Sequence, residues 1–225
     1  MWSKSTAYCL NTIKVCWGCD HDGTRIEMYM PDLRANPEIA IIHYPEEYAG
    51  QQTVKLCCTQ HYNAFYRPDI TDYQQKKITE SWVKFLHGDI QPMEVVQFCT
   101  KTNQAVFDAI CHQENVQSLW FKWCAVPDLS QIAQLRKLKR LYIGLGTAIR
   151  DLSPLGELEN LEVLRLGNTS KVTDYSALGR LRNLKALEIV GYDTLNPVTI
   201  KAESDAFLQQ LDRLEFTNLN IKVLK

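Results

Sequence analysis

The sequence predicts an α/β solenoid, a short curved parallel sheet of about five to six repeats behind an N-terminal α/β cap. Three observations predict it. One phrase recurs as Val116-x-x-Leu119-x-Phe121, Leu138-x-x-Leu141-x-Ile143, Leu161-x-x-Leu164-x-Leu166 and Leu184-x-x-Leu187-x-Ile189, at a period of 22 to 23 residues. A fixed period in that range marks units that bury their apolar side only against their neighbours. After each phrase, apolar residues return every third position: Val126, Leu129, Ile132, Leu135; then Ile149, Leu152, Leu155, Leu158; then Val172, Tyr175, Leu178, Leu181. Finally, the first 88 residues have a different texture, with short β-branched and aromatic runs between turn signals.

The phrase Asp151-Leu152-Ser153-Pro154-Leu155-Gly156-Glu157-Leu158-Glu159-Asn160-Leu161 carries a resemblance. With the recurring strand phrase, it resembles the leucine-rich repeat family, in its short bacterial internalin-like form, over residues 93 to 225. Two fainter units flank the clear ones, Val95-x-x-Phe98-x-Thr100 and Leu211-x-x-Leu214-x-Phe216. The resemblance implies an Asn or Cys eight residues after the first Leu, satisfying backbone groups as the chain leaves the strand. Asn103 and Cys124 fit, whereas Gly146, Thr169 and Tyr192 do not. Those later units carry one extra residue, so a less regular turn is expected there, with Asn168 as a substitute. A fold does not fix a function.

The N-terminal region reads as short strands at 8–17, 25–30, 38–44 and 53–58, separated by Asp22-Gly23, Pro31-Asp32, Asn36-Pro37 and Ala49-Gly50. From Thr71 to His87 the pattern turns helical, with Ile78, Trp82, Phe85 and Leu86 on one face and Gly88 placed to stop it. Gln104 to His112 also reads as helix. The expected organisation is a cap over residues 1–88, covering the open first edge of the solenoid, and a repeat domain over 89–225. Near the end, Asn196-Pro197 breaks the pattern and a helix is expected from Glu203 to Gln210. An uncovered last strand is an open edge. Residues 217–225 either fold back over it or leave it to pair, so the expected state is a monomer or a weak dimer through that edge.

Composition excludes several function classes. Of 225 residues, 45% are hydrophobic and 23% charged, ordinary globular usage. With 25 basic and 26 acidic residues the net charge is −1, giving no electrostatic footprint for nucleic acid. No apolar run approaches the roughly 20 residues a membrane span needs. Met1 to Ala7 lacks the apolar core of a signal peptide, so a cytoplasmic setting is expected.

The 8 cysteines have three readings. In a reducing cytosol free thiols are the norm. Cys16-x-x-Cys19 has redox or zinc spacing, and Cys57, Cys58 and His61 offer further ligands, but a second paired motif is absent. Cys99, Cys111 and Cys124 fall inside the repeat pattern as packing or turn residues. No nucleophile elbow, phosphate-binding loop, His-Glu-x-x-His or nucleotide fingerprint occurs. Asp20-His21-Asp22 reads as a polar turn.

The repeats do predict a face. Side chains alternate along a strand, so if Leu119 and Phe121 point inward, Ser118, Trp120 and Lys122 point onto the concave sheet. The middle column then runs Cys99, Trp120, Tyr142, Arg165, Glu188 and Glu215. Trp, Tyr and Arg dominate binding hot spots. The expected partner-binding residues are Trp120, Lys122, Arg140, Tyr142, Arg165 and Glu188, exposed to bind another protein; the alternative is that the N-terminal unit folds across the sheet and covers them, with Trp120 anchoring the cap. Arg136, Lys137, Lys139 and Arg140 form a basic rim that would steer an acidic partner. The function expected is non-enzymatic, with no cofactor and no bound metal. Its settings, from the resemblance alone, are a bacterial immunity-type protein or a scaffold. The alternative is an enzyme or metal protein with its site at Cys16, Cys19, Cys57 and His61.

Overall fold

The computed structural model describes residue 33 and residues 36–59, 70–191 and 198–224. The expected strands at 8–17 and 25–30 lie outside those residues, as do Cys16, Cys19, His61 and Tyr192. In chain order the elements are β1 (Ile41–Ile42), β2 (Thr53–Leu56), α1 (Asp72–Leu86), β3 (Val95–Thr102), α2 (Gln104–Cys111) and β4 (Ser118–Cys124). Then follow β5 (Arg140–Ile143), β6 (Val163–Gly167), β7 (Ala186–Val190), β8 (Ile200–Ala202), β9 (Phe216–Leu219) and β10 (Ile221–Val223). Eight strands make one all-parallel sheet in the order β1-β2-β3-β4-β5-β6-β7-β9, and β8 pairs with β10 in a second sheet.

The recurring phrase forms strands because its apolar residues meet their own counterparts. Leu119 lies opposite Leu141, Leu141 opposite Leu164, and Leu164 opposite Leu187, with Phe121, Ile143, Leu166 and Ile189 stacked beside them. All eight are fully buried. The three-residue returns become 3-10 turns at Ser130–Gln134, Ser153–Glu157 and Ser176–Arg180, and their leucines close the core from the other side. Asp128, Asp151 and Asp174 start these turns alike, each accepting the backbone N–H two residues on at 2.8 Å. Those bonds, with Ser130 and Ser176, hold the carboxyls of Asp128 and Asp174 below the usual carboxylate range.

The cap helix forms for local reasons. Thr71 and Gln74 make a capping box at the start of α1, and Gly88 donates to the Phe85 carbonyl (3.1 Å) beyond its end. Ile78, Trp82 and Leu86 are buried on one face, with Phe85 at its margin. The Trp82 indole N–H reaches the His43 carbonyl at 2.9 Å. Strand β2 pairs in parallel with β3, Thr53 opposite Val95, so the sheet runs without a break across the connection holding residues 88–89. Among the described residues no helix is long and apolar enough to cross a membrane.

Four expectations are corrected. The strand at 38–44 shrinks to Ile41–Ile42, because Pro45–Glu47 closes a 3-10 turn directly after it. The first repeat frame slips by two: Val96 lies opposite Leu119 and Phe98 opposite Phe121, so the unit begins at Met93, which is fully buried. A bulge between Phe98 and Lys101 absorbs the mismatch. The last frame slips by three: Phe216 lies opposite Ala186 and Asn218 opposite Glu188, so Leu214, not Leu211, is the counterpart of Leu184. The extra length of that unit contains β8, which takes up β10. The helix expected from Glu203 is only a 3-10 turn at Ala206–Gln210.

The turns with an extra residue solve their geometry through backbone. Leu145 (φ 49°) and Asn168 (φ 55°) adopt the left-handed conformation, which Asn enters more readily than Leu. Asn168 does not replace the ladder residue through its carboxamide, whose buried Oδ1 has no partner among the described residues. Thr169, at the ladder position, shares a hydrogen bond with the Tyr175 hydroxyl at 3.0 Å. Cys124 does fill its expected place: its sulfur accepts the Val126 N–H, while burial pushes the thiol up to about 12.

A second ladder, unseen in the sequence reading, lies where the chain enters each strand. The carboxamides of Asn115, Asn160 and Asn183 donate to the carbonyls of Gln91, Arg136 and Glu159 in the preceding unit. Lys137 and Arg213 occupy the same position in their units and donate to the side chains of Asn115 and Asn183. Arg213 directly precedes Leu214, which agrees with the corrected frame.

Two strand-end glycines separate close approach from mere smallness. A Cβ on Gly144 would stand 2.5 Å from the Lys122 carbonyl oxygen and 2.9 Å from that of Phe121, both backbone, whereas on Gly167 the nearest atom is 3.4 Å away. Gly144→Ala is expected to cost about 1–3 kcal/mol in urea unfolding, from overpacking. Gly167→Ala should cost clearly less, and equal losses would contradict this register.

Candidate outer-face site

Alternation puts a second set of side chains on the sheet face turned away from the core. The middle column, read by register, is Lys55, Gln97, Trp120, Tyr142, Arg165, Glu188 and Asn218. Sequence reasoning placed Trp120, Tyr142, Arg165 and Glu188 in it correctly. It put Cys99 where Gln97 belongs and Glu215 where Asn218 belongs, through the two frame slips, and it missed Lys55 because it assigned β2 no register.

The column is continuous. The Trp120 and Tyr142 rings meet edge to face at 4.5 Å between centroids, and the Arg165 guanidinium lies 4.9 Å from the Tyr142 centroid. Arg165 pairs directly with the Glu188 carboxylate, and Asn218 donates to the same carboxylate at 2.9 Å. Trp120, Tyr142, Val163 and Ala186 form an apolar cluster of their own, separate from the core, with Phe216 against it.

Of the two readings, exposed or covered, these side chains follow the second. Relative exposure is 4% for Trp120, 5% for Tyr142, 3% for Arg165, 0% for Glu188 and 8% for Lys122. Of the six expected partner-binding residues only Arg140 is exposed, on the rim with Arg136, Lys137 and Lys139. Alternation fixes the direction of a side chain and says nothing of what lies over it. Each large apolar side chain left in water forgoes about 1.5–3 kcal/mol, and here that burial is recovered within the molecule.

Two column residues hold main chain. Gln97 Oε1 accepts the backbone N–H of Leu33 at 2.7 Å, and the Lys55 ammonium donates to the Asn36 carbonyl at 2.9 Å. The next residue, Trp120, keeps a buried indole N–H with no acceptor among the described residues. Such orphans are rare and call for an explanation.

Register-matched parallel strands, a period near 23 residues and 3-10 returns are on the page. The fold is a leucine-rich repeat solenoid. No protein-family model matches the chain, and no curated protein matches it. Among solved structures it is similar to an internalin C2 from Listeria monocytogenes, at 22% identity and TM-score 0.46, over 64% of this chain and 57% of that one. An internalin F from the same organism is similar at 14% identity and TM-score 0.41, over 64% and 51%. The chain thus spans little more than half of each. The fold assignment rests on register and repeat, not on these alignments.

Elsewhere, an open cavity of about 910 Å³ lies between α1 and the ends of β2 and β3, lined by Thr59, Lys76, Thr79, Lys84, Lys101 and Asn103 among others. Among the described residues no group of three or more His, Cys, Asp or Glu side chains has metal-binding geometry. Of the four residues in the alternative metal reading only Cys57 is described, and it is a free, buried thiol.

The Arg165–Glu188 pair gives a direct test. Arg165→Ala should cost about 3–5 kcal/mol, because it strands a buried carboxylate. Arg165→Met with Glu188→Leu should restore most of that loss in urea unfolding. A double variant as unstable as Arg165→Ala would show that the two do not act as a pair.

Proposed function

We propose that the protein is an interaction module with no chemistry of its own, which holds polypeptide main chain on the outer face of its sheet. Its partner is another protein, which enters from the basic rim at Arg140. The observation that carries this reading is the grip of Gln97 and Lys55 on the main chain of Leu33 and Asn36. Side chains that bond backbone atoms recognise a chain through its main chain, here a turn closed by the Asn36 N–H on the Leu33 carbonyl at 3.0 Å, with few demands on its sequence. The orphaned indole N–H of Trp120 supports the same reading, since a carbonyl of a bound chain would satisfy it. Because the column is buried, a partner has to compete with chain already on this face, Leu33 and Asn36 among the described residues. Arg140, Arg136, Lys137 and Lys139 favour an acidic partner and raise its rate of encounter.

The setting is read from resemblance: short bacterial repeats of this type suit an immunity-type or scaffold protein. The five cysteines among the described residues are free and buried, which supports a reducing, cytoplasmic compartment. The test is quantitative affinity capture from the native host with wild type, with Arg140→Glu/Trp120→Ala, and with Gln209→Ala on a return turn as control. A partner recovered by wild type and control should fall at least about tenfold with the face variant, the scale of a hot-spot loss. Equal recovery by all three would remove the outer face from the interaction.

A further inference from the structure

Two cysteines on the outer face stand apart from the other described thiols. Leu56 lies opposite Phe98. Three residues further, the Thr59 hydroxyl bonds the Thr100 hydroxyl at 3.2 Å and the Lys101 carbonyl. Register on both sides therefore sets Cys57 against Cys99 on adjacent strands. Paired strands run about 4.7–4.9 Å apart, inside the Cα separation of about 4.4–6.8 Å that a disulfide spans. Alternation turns both thiols to the outer face, while Cys58 between them in phase packs into the core. The two thiols are hydrogen-bonded to each other. Cys111 and Cys124 belong to the core instead.

We infer that Cys57 and Cys99 are an oxidisable pair, which a hydroperoxide converts into a disulfide tying the first strands of the sheet together. The Cys57 sulfur, the less buried of the two at 2% exposure against 0%, attacks the peroxide O–O bond as its thiolate. It becomes a sulfenic acid and releases the other oxygen as water after protonation. The Cys99 thiol then attacks that sulfur, the S–O bond breaks, and a second water leaves. In total two thiols and one hydrogen peroxide give one disulfide and two waters. The hydrogen bond to Cys99 and burial push the Cys57 thiol up, with Lys122 acting weakly the other way. The Cys57 thiol therefore rests protonated, and the reaction waits on local opening. The site favours that opening, because among the described residues only the two-residue strand β1 lies outside β2. Cys99 is two residues from Gln97, so the link would stiffen the strand that holds Leu33.

The full-length folded protein is treated with hydrogen peroxide, its free thiols are alkylated after denaturation, and it is digested without reduction for mass spectrometry. The expected product is a Cys57–Cys99 linked peptide lacking two hydrogens and released by dithiothreitol. Cys58→Ser should keep the link. Cys99→Ser should abolish it and leave a Cys57 sulfenic acid that dimedone traps. Recovery of Cys57 and Cys99 as alkylated thiols from peroxide-treated wild type, or a link through Cys58, would overturn the pair. Wild type and Cys58→Ser decide the matter even where Cys99→Ser fails to fold.

Discussion

Everything in this molecule depends on parallel strands stacking in register from β1 to β9. Because side chains alternate with a period of two, that register sorts each strand into two sets at once. One set becomes the aliphatic rungs that meet the 3-10 returns, and the other becomes the outer-face column. A repeat can bury its apolar side only against its neighbours, so neither set is stable in one unit alone. The polar ladders on each side of the strands, Asn115-Asn160-Asn183 at the entry and Asp128-Asp151-Asp174 before the returns, hold the same spacing.

The outer face is a second layer with different physics. Its core-side counterpart is built of Leu, Ile and Phe and stabilises by area removed from water. The column instead runs from rings to a cation to a carboxylate to a carboxamide, each in contact with the next. Burying an ion pair such as Arg165–Glu188 contributes little net stability compared with apolar residues of the same size. Its consequence is that each side chain has one arrangement, so the face keeps a defined shape. Chain is held there at Gln97 and Lys55 through main-chain atoms, which gives the face a use beyond packing.

Much of this was legible in the sequence. The recurring phrase gave the strands between Ser118 and Val190, their inward and outward sets, and the membership of Trp120, Tyr142, Arg165 and Glu188 in one column. The apolar face of Ile78, Trp82, Phe85 and Leu86, with Gly88 to stop it, announced α1 by local pattern. The flanking frames were not legible. Val95 and Met93 both start an acceptable phrase in a run of apolar residues, and a slip of two keeps the faces while shifting the rung. At the other end a slip of three exchanged the faces, and only pairing with β7 showed Leu214 to be the counterpart of Leu184. Burial of the column was illegible for a further reason, since what lies over a sheet face is a long-range fact with no local signature.

The central claim is that the Trp120–Tyr142–Arg165 column is an enclosed layer of the folded chain and not a bare surface. Hydroxyl-radical footprinting of the native protein tests it directly, with Tyr73, 70% exposed, as an internal reference. Trp120 and Tyr142 should be modified far more slowly than Tyr73 in the folded protein and at comparable rates after denaturation. Modification of both at the rate of Tyr73 in the native state would contradict the account.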